Sequence, residues 1–393
     1  MNIVHCKEYL DEVKETAKER VKKLKEDHGV TPTVKVIQLG DSEDSNRYVR
    51  NKTRHVTDIG ANAVVEKLSK FISCNKLLEV IDEANKDENV HAIIVQKPLP
   101  PHISDFIVDM HIDPTKDLDC ANPKNLGRLL HDNGFVKPCT PKGIVYLLKK
   151  KNIDLNGKNV LILGRSLIVG KPLQILLTNE NATVTLAHSK SQIKDFYSYG
   201  NTIDGSKYDI IISAIGKGHE VKVDMTENNC ILIDVGINFD EDGKMIGDID
   251  LENSISRYKE SWATPVPGGV GLLTCAMVID NLLDLTERKI NKVIYDEIKS
   301  EYKDIKSISE SLIGMEDILK ESGGKFNKGD IVHVVNYEGS PFNDLIGRIV
   351  GYNPQFNIYI VDVTINRIGL HEKYLEKFNN LDNYLNDFDF ENQ

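Results

Sequence analysis

The sequence predicts an α/β protein of two lobes, one of them a Rossmann-type nucleotide lobe, followed by a helical linker and a small SH3-like β-barrel. Three observations carry this prediction. Apolar strands alternate with amphipathic helices over residues 7–285, and the strand Asn159–Leu163 runs straight into Gly164. Beyond residue 286 the pattern changes to a charged helical stretch and then to short strands. The divisions that follow are residues 1–145 with 270–288, 146–269, 289–325, 326–380 and an acidic tail at 381–393.

The first lobe opens on a helix over 7–28, with Val13, Ala17, Val21 and Leu24 along one face. Pro32 ends it, and strand 34–39 runs into Gly40. A helix over 45–59 stops at Gly60, then come strand 63–68, helix 75–87 and the buried-type strand Ala92–Val95, cut by Pro98, Pro100 and Pro101. The second lobe starts with a helix from Thr140 to about Lys151. Strand Asn159–Leu163, helix 171–178 and strands at 182–187, 210–214 and 230–234 follow. A proline- and glycine-rich loop, 264–271, leads into a helix ending near Leu285. Residues 290–322 read as a charged helical connector closed by Gly323-Gly324. Strands at 330–335, 346–352 and Ile358–Val363 then suggest the small barrel.

Composition narrows the partners. A net charge of -11 argues against general binding to nucleic acid or membrane surfaces, because either needs a basic face. No apolar run approaches the roughly 18 residues of a membrane helix, and the first residues lack the apolar core of a signal peptide. The six cysteines are scattered without C-x-x-C spacing, as expected of free thiols in a cytoplasmic protein. Neither histidine nor cysteine spacing suggests a metal site.

Several groupings carry chemistry. Gly164-Arg165-Ser166-Leu-Ile-Val-Gly170 sits between a strand and a helix, where Gly164 permits a tight turn and Gly170 a close backbone approach. The helix start offers unpaired N–H groups to phosphate oxygens. Arg165, Ser166 and the run His188-Ser189-Lys190 are basic and hydroxylic where an NAD site wants a carboxylate, so NADP is the expected cofactor. Ser45-x-x-Tyr48-x-x-x-Lys52 places Tyr48 and Lys52 on one helix face. A lysine working near neutral pH needs its pKa lowered by dehydration, and two to three units correspond to about 3–4 kcal/mol. Gln96 ends a buried strand within reach of such a lysine. Asp117 and Asp119 stand at alternate positions, and either can grip an aminopyrimidine ring through paired N–H donors. Pro267, Gly268 and Gly269 belong to a loop whose backbone can lie against a flat ligand.

As a set, these segments resemble the bifunctional methylenetetrahydrofolate dehydrogenase/methenyltetrahydrofolate cyclohydrolase family over residues 1–285. The markers are 45–52, 95–100, 116–119, Pro138-Cys-Thr-Pro141, 164–172, Asp234-Val-Gly-Ile-Asn238, Gly247-Asp248 and 264–271. The resemblance implies that the first lobe binds folate and that Lys52 is the catalytic lysine, required above all for the cyclohydrolase step. It implies that Tyr48, beside Ser45, stacks on the aminobenzoyl ring, Gln96 positions the lysine, and Asp119 holds the pterin. Arg165, Ser166 and Ser189 match contacts to the 2′-phosphate, while Gly164, Ile237 and Thr274 line the dinucleotide. A homodimer is expected. Three positions depart from the family pattern: Lys97 for leucine, Cys120 for glycine, and Leu272-Leu273 for proline and methionine. Two rival readings are a shikimate-dehydrogenase-like oxidoreductase, and a vestigial enzyme that delivers the C-terminal barrel to a partner. For the barrel itself, with Tyr337, Tyr352, Phe356 and Tyr359, a protein-contact or self-association role is expected.

Overall fold

The computed structural model describes residues 1–191, 197–199, 202–225, 229–256, 261–310, 331–334, 346–353, 358–363, 366–371 and 375–377. It divides into two units, residues 1–289 and 290–393.

In the first unit, β1 (Asn2–Ile3) precedes α1 (Lys7–His28), which ends on Gly29 in the left-handed conformation at φ 66°. Then come β2 (Thr33–Leu39), α2 (Glu43–Asp58), β3 (Asn62–Leu68), α3 (Cys74–Lys86) and β4 (Ala92–Val95). These strands form a parallel sheet in the order β3-β2-β4. Residues 116–118 extend it, because Ile93 pairs in parallel with Asp117. That lone bridge delivers Asp119 to the same edge of the sheet as Gln96.

Two short helices, α4 (Asp105–His111) and α5 (Pro123–Leu130), were not expected from the sequence. At 7 and 8 residues they are too short to show a helical period. α6 (Cys139–Lys150) leads to the second lobe. There β5 (Asn159–Leu163), α7 (Gly170–Asn179) and β6 (Thr183–Ala187) follow. After them come β7 (Tyr197–Tyr199), β8 (Thr202–Asp204), β9 (Ile210–Ser213), β10 (Lys222–Met225) and β11 (Ile231–Asp234). The lobe closes with β12 (Asn238–Phe239), β13 (Met245–Ile246), β14 (Ile255–Ser256) and β15 (Trp262–Ala263).

The main sheet of this lobe has six parallel strands in the order β1-β15-β11-β9-β5-β6. Its alternation explains the apolar runs. Val160, Ile162, Ile210, Ile212 and Ile233 pack into one core, and Leu161, Leu163, Ile211 and Leu232 into the other. A strand covered on both faces is apolar at every position. The strand order reverses between β5 and β9, the crevice where ligands of such sheets collect.

Two boundaries differ from the sequence reading. The expected first lobe begins at residue 1, yet β1 pairs with β15 and so belongs to the six-stranded sheet. A two-residue strand carries no periodicity of its own to reveal this. The helix after the proline–glycine loop was expected to end near Leu285, with a separate connector beginning at 290. Instead α8 is a single helix, Val270–Glu310. Residues 286–310 contain neither glycine nor proline, so nothing in the chain interrupts it.

In the second unit, β16 (Ile331–Val334), β17 (Ile346–Asn353), β18 (Ile358–Val363), β19 (Asn366–His371) and β20 (Leu375–Lys377) form an antiparallel sheet. Its order is β19-β18-β17-β16-β20. The rest of the expected connector, the tail at 381–393, and Tyr337 and Phe356 lie outside the described residues.

Candidate active site

Lys52 and Asp119 meet. The Lys52 ammonium lies 3.4 Å from Asp119 Oδ2, with the lysine side chain 15% exposed and the aspartate 36%. Ser42 caps the N-terminus of α2 by accepting from Ser45 N, which starts the helix two residues before the expected position. From there the helix carries Tyr48, 42% exposed, and Lys52 one turn further on.

Spacing alone leaves Asp117 and Asp119 both open, the family resemblance points to Asp119, and their surroundings differ in the structure. Asp117 is buried, and its oxygens already accept from Ala121 N, Asn122 N and Asn125 Nδ2 at 2.9–3.0 Å. Burial pushes its pKa up to about 6 despite those bonds. Asp119 is the carboxylate open to a ligand. Lys116, in the same marker, is structural: its ammonium donates to the carbonyls of Ala84, Asn85 and Asp87 at the end of α3.

Two expectations about the lysine need correction. Its pKa is expected from sequence to fall by dehydration, but it is raised. Burial is the largest single influence and pulls it down, but the charge and hydrogen bond of Asp119, together with Cys139 and Cys275, outweigh it in sum. The i, i+4 pattern on α2 sees only Tyr48. Asp119 arrives from 67 residues away through the β4 edge. Both thiols are themselves raised, chiefly by burial.

The second correction concerns Gln96, which does not hydrogen-bond Lys52. Its Nε2 donates to the Lys97 carbonyl at 2.7 Å, and its Oε1 is buried without a partner among the described residues. A buried acceptor left without a donor is a place for a ligand donor to arrive. Lys97 is tied to Asp109 at 2.6 Å, an ion pair that takes the place of the family's leucine. Cys120 has φ 54°, the left-handed region that accounts for the glycine usual there.

The loop Gly164–Gly170 sits at the crevice where the strand order reverses. Gly164 has φ 110°, and a Cβ there would lie 2.3 Å from the Ala214 carbonyl. A Cβ on Gly170 would lie 1.9 Å from the Gly164 carbonyl, so both positions admit only glycine. Ser166 Oγ accepts from Val169 N at 3.1 Å, while Arg165 and Ser166 stay exposed. Leu163 of β5 pairs with Ala187 of β6, so Arg165–Ser166 and Ser189–Lys190 leave neighbouring strands side by side. This cradle, with exposed cation and hydroxyls, fits a dinucleotide bearing a 2′-phosphate.

Thr274 Oγ1 lies 2.9 Å from Thr140 Oγ1, joining α8 to α6, and Ile237 is half-buried after β11. Pro267 is exposed in the loop before α8, and Gly269 is buried in it. Gly268 has φ 101° and its carbonyl accepts from Cys6 N. Sequence reasoning gave no role to Asp234 or Asp248, although both lie in quoted markers. Their burial and partners become visible only in three dimensions.

Residues 4–119 match the model of the tetrahydrofolate dehydrogenase/cyclohydrolase catalytic domain, and residues 138–290 match its NAD(P)-binding domain. The bifunctional protein FolD of Bacillus subtilis is 41% identical over 289 residues, covering 74% of this chain and 99% of that protein. The crystal structure of the bifunctional FolD methylenetetrahydrofolate dehydrogenase/cyclohydrolase from Campylobacter jejuni is similar with a TM-score of 0.66 and 37% identity. That match covers 73% of this chain and 99% of the other. The Trypanosoma brucei dehydrogenase-cyclohydrolase, complexed with NADP and an inhibitor, gives 0.67 and 30%, covering 73% and 98%.

Proposed function

The chain belongs to the tetrahydrofolate dehydrogenase/cyclohydrolase family, and from that premise we propose that Lys52 and Asp119 are the working pair of its folate site. The enzyme oxidises 5,10-methylenetetrahydrofolate with NADP to the methenyl cation and hydrolyses that cation to 10-formyltetrahydrofolate. The observation that carries the assignment of the pair is the 3.4 Å contact at the open end of the parallel sheet.

NADP, when bound, supplies the hydride acceptor. Gly164 and Gly170 give its phosphates room, the start of α7 offers N–H groups, and Arg165, Ser166 and Ser189 hold the 2′-phosphate. Ile237 and Thr274 line the dinucleotide, and the backbone of Pro267, Gly268 and Gly269 lies against the folate. Tyr48, next to Ser45 on α2, stacks on the aminobenzoyl ring.

The raised pKa of Lys52 gives the hydrolytic step its logic. Before substrate arrives, Asp119 keeps the lysine protonated. The pterin N–H donors then engage Asp119, and the methenyl group brings a positive charge. Both changes favour the neutral amine at the moment a base is required. Lys52 takes a proton from the attacking water and returns one to N5 as the carbon–nitrogen bond breaks. Cation and water thus become formyl product and one released proton. The open Oε1 of Gln96 accepts a donor in the same pocket.

Asp119→Ala tests the pair. The KM for folate is expected to rise about 10- to 100-fold in both reactions, the loss of a charge-assisted contact. NADPH absorbance and 10-formyl product report the two reactions, and an unchanged KM in both removes Asp119 from the site. The division into a folate lobe (1–145 with 270–288) and an NADP lobe (146–269) follows the same reading, except that β1 (Asn2–Ile3) joins the sheet of the NADP lobe. For residues 326–380 we propose an SH3-like barrel with a protein-contact or self-association role, supported by the antiparallel pairing of β20 with β16. That the enzyme is a cytoplasmic homodimer rests on the family. That it binds neither nucleic acid nor membrane rests on the net charge of -11. No helix among the described residues is long and apolar enough to cross a membrane.

A further inference from the structure

Two carboxylates in the second lobe are almost completely buried. Asp248 is 0% exposed and Asp234 2%. Asp248 Oδ2 accepts from Ser213 Oγ at 3.1 Å, Ile215 N at 2.7 Å and Gly216 N at 3.3 Å. Its Oδ1 accepts from Lys217 N at 2.8 Å and Asn238 Nδ2 at 3.0 Å. Asp234 accepts from Gly236 N, Asp248 N and Ile249 N at 2.8–3.1 Å.

The two loops are interleaved around these groups. A Cβ on Gly236 would lie 2.0 Å from Asp248 Oδ1, and one on Gly247 would lie 1.9 Å from Asp234 Oδ2. Glycine is required at both places so that each carboxylate can reach the other loop's N–H groups.

What this knot holds is the wall of the crevice. Residues 215–217 leave the C-terminal end of β9, and 235–238 leave that of β11, the adjacent strand. β9 also borders β5, where the carbonyl of Ala214 presses on Gly164. Both loops therefore face the place where a dinucleotide binds in a sheet of this order. Main-chain N–H groups cannot hold a loop shape alone, but one buried carboxylate accepting five donors can.

We propose that Asp248 is a positioning residue for NADP, its carboxylate fixing loops 215–217 and 235–238 against the cofactor crevice. The proposal rests on the reading of this lobe as the NADP lobe. It assigns Asp248 no contact with substrate.

The test uses the full chain and two independent measurements. In Asp248→Asn an amide NH2 replaces one oxygen and faces donors. NADP affinity, read by calorimetry without folate, is expected to weaken about tenfold or more. Hydrolysis of methenyltetrahydrofolate needs no cofactor and is expected to stay within about twofold of the parent. Ser213→Ala removes only one of the five donors, and decides the matter should Asp248→Asn fail to fold. Its NADP affinity is expected to drop about two- to fivefold, with hydrolysis unchanged. Unchanged NADP affinity in the folded variants, or a parallel loss of hydrolysis and affinity in Ser213→Ala, overturns the proposal. A parent protein that turns over neither folate substrate would sink the functional reading instead, while the NADP titrations still decide the role of Asp248.

Discussion

Lys52→Met is expected to lower methenyltetrahydrofolate hydrolysis by about 10²- to 10⁴-fold, the usual contribution of a positioned general acid–base group. Dehydrogenase turnover is expected to survive in part. The difference follows from what each reaction moves. Hydrolysis takes a proton from water and delivers one to the departing nitrogen, and a thioether can do neither. Oxidation of the methylene group removes a hydride and needs no base, so the lysine contributes only shape and charge there. Methionine keeps most of the volume, so a general collapse of the pocket is not the expected cause. Melting temperature and dehydrogenase activity serve as controls. Unchanged hydrolysis would show that another group carries the proton.

Arg165→Ala is expected to raise the KM for NADP by about 10- to 100-fold while leaving the KM for NAD nearly unchanged. The guanidinium is exposed beside Ser166 and next to the strand that leads to Ser189, so a 2′-phosphate is the partner proposed for it. NAD lacks that group and has no contact to lose. The telling quantity is the ratio of kcat/KM for the two cofactors. An equal loss for both would mean that Arg165 supports the loop rather than reads the phosphate.

Much of this was legible in the chain because it is local. The strand running into Gly164 announces the nucleotide lobe, and the crowding at Gly164 and Gly170 explains why those positions carry no side chain. The run of isoleucine, leucine and valine in β5, β9 and β11 announces a sheet covered on both faces. What stayed hidden depends on contacts far apart in sequence. The bridge between Ile93 and Asp117 sets Asp119 against Lys52 and reverses the expected direction of the lysine's pKa. The same geometry spends Asp117 on Ala121, Asn122 and Asn125, so two carboxylates that look equivalent in sequence differ entirely in use. Gln96 turns to the carbonyl of its own neighbour, a choice no spacing rule anticipates. Asp248 looks like a polar loop residue until five donors converge on it.

The account stands on Lys52 changing from ammonium to amine when a cationic folate arrives. Calorimetric titration with a non-hydrolysable cationic folate analogue, repeated in buffers of different ionisation enthalpy, counts the protons exchanged on binding. The parent protein is predicted to release up to about one proton at mildly alkaline pH, and Lys52→Met to release none. Equal release from both proteins, or none from either, would contradict it.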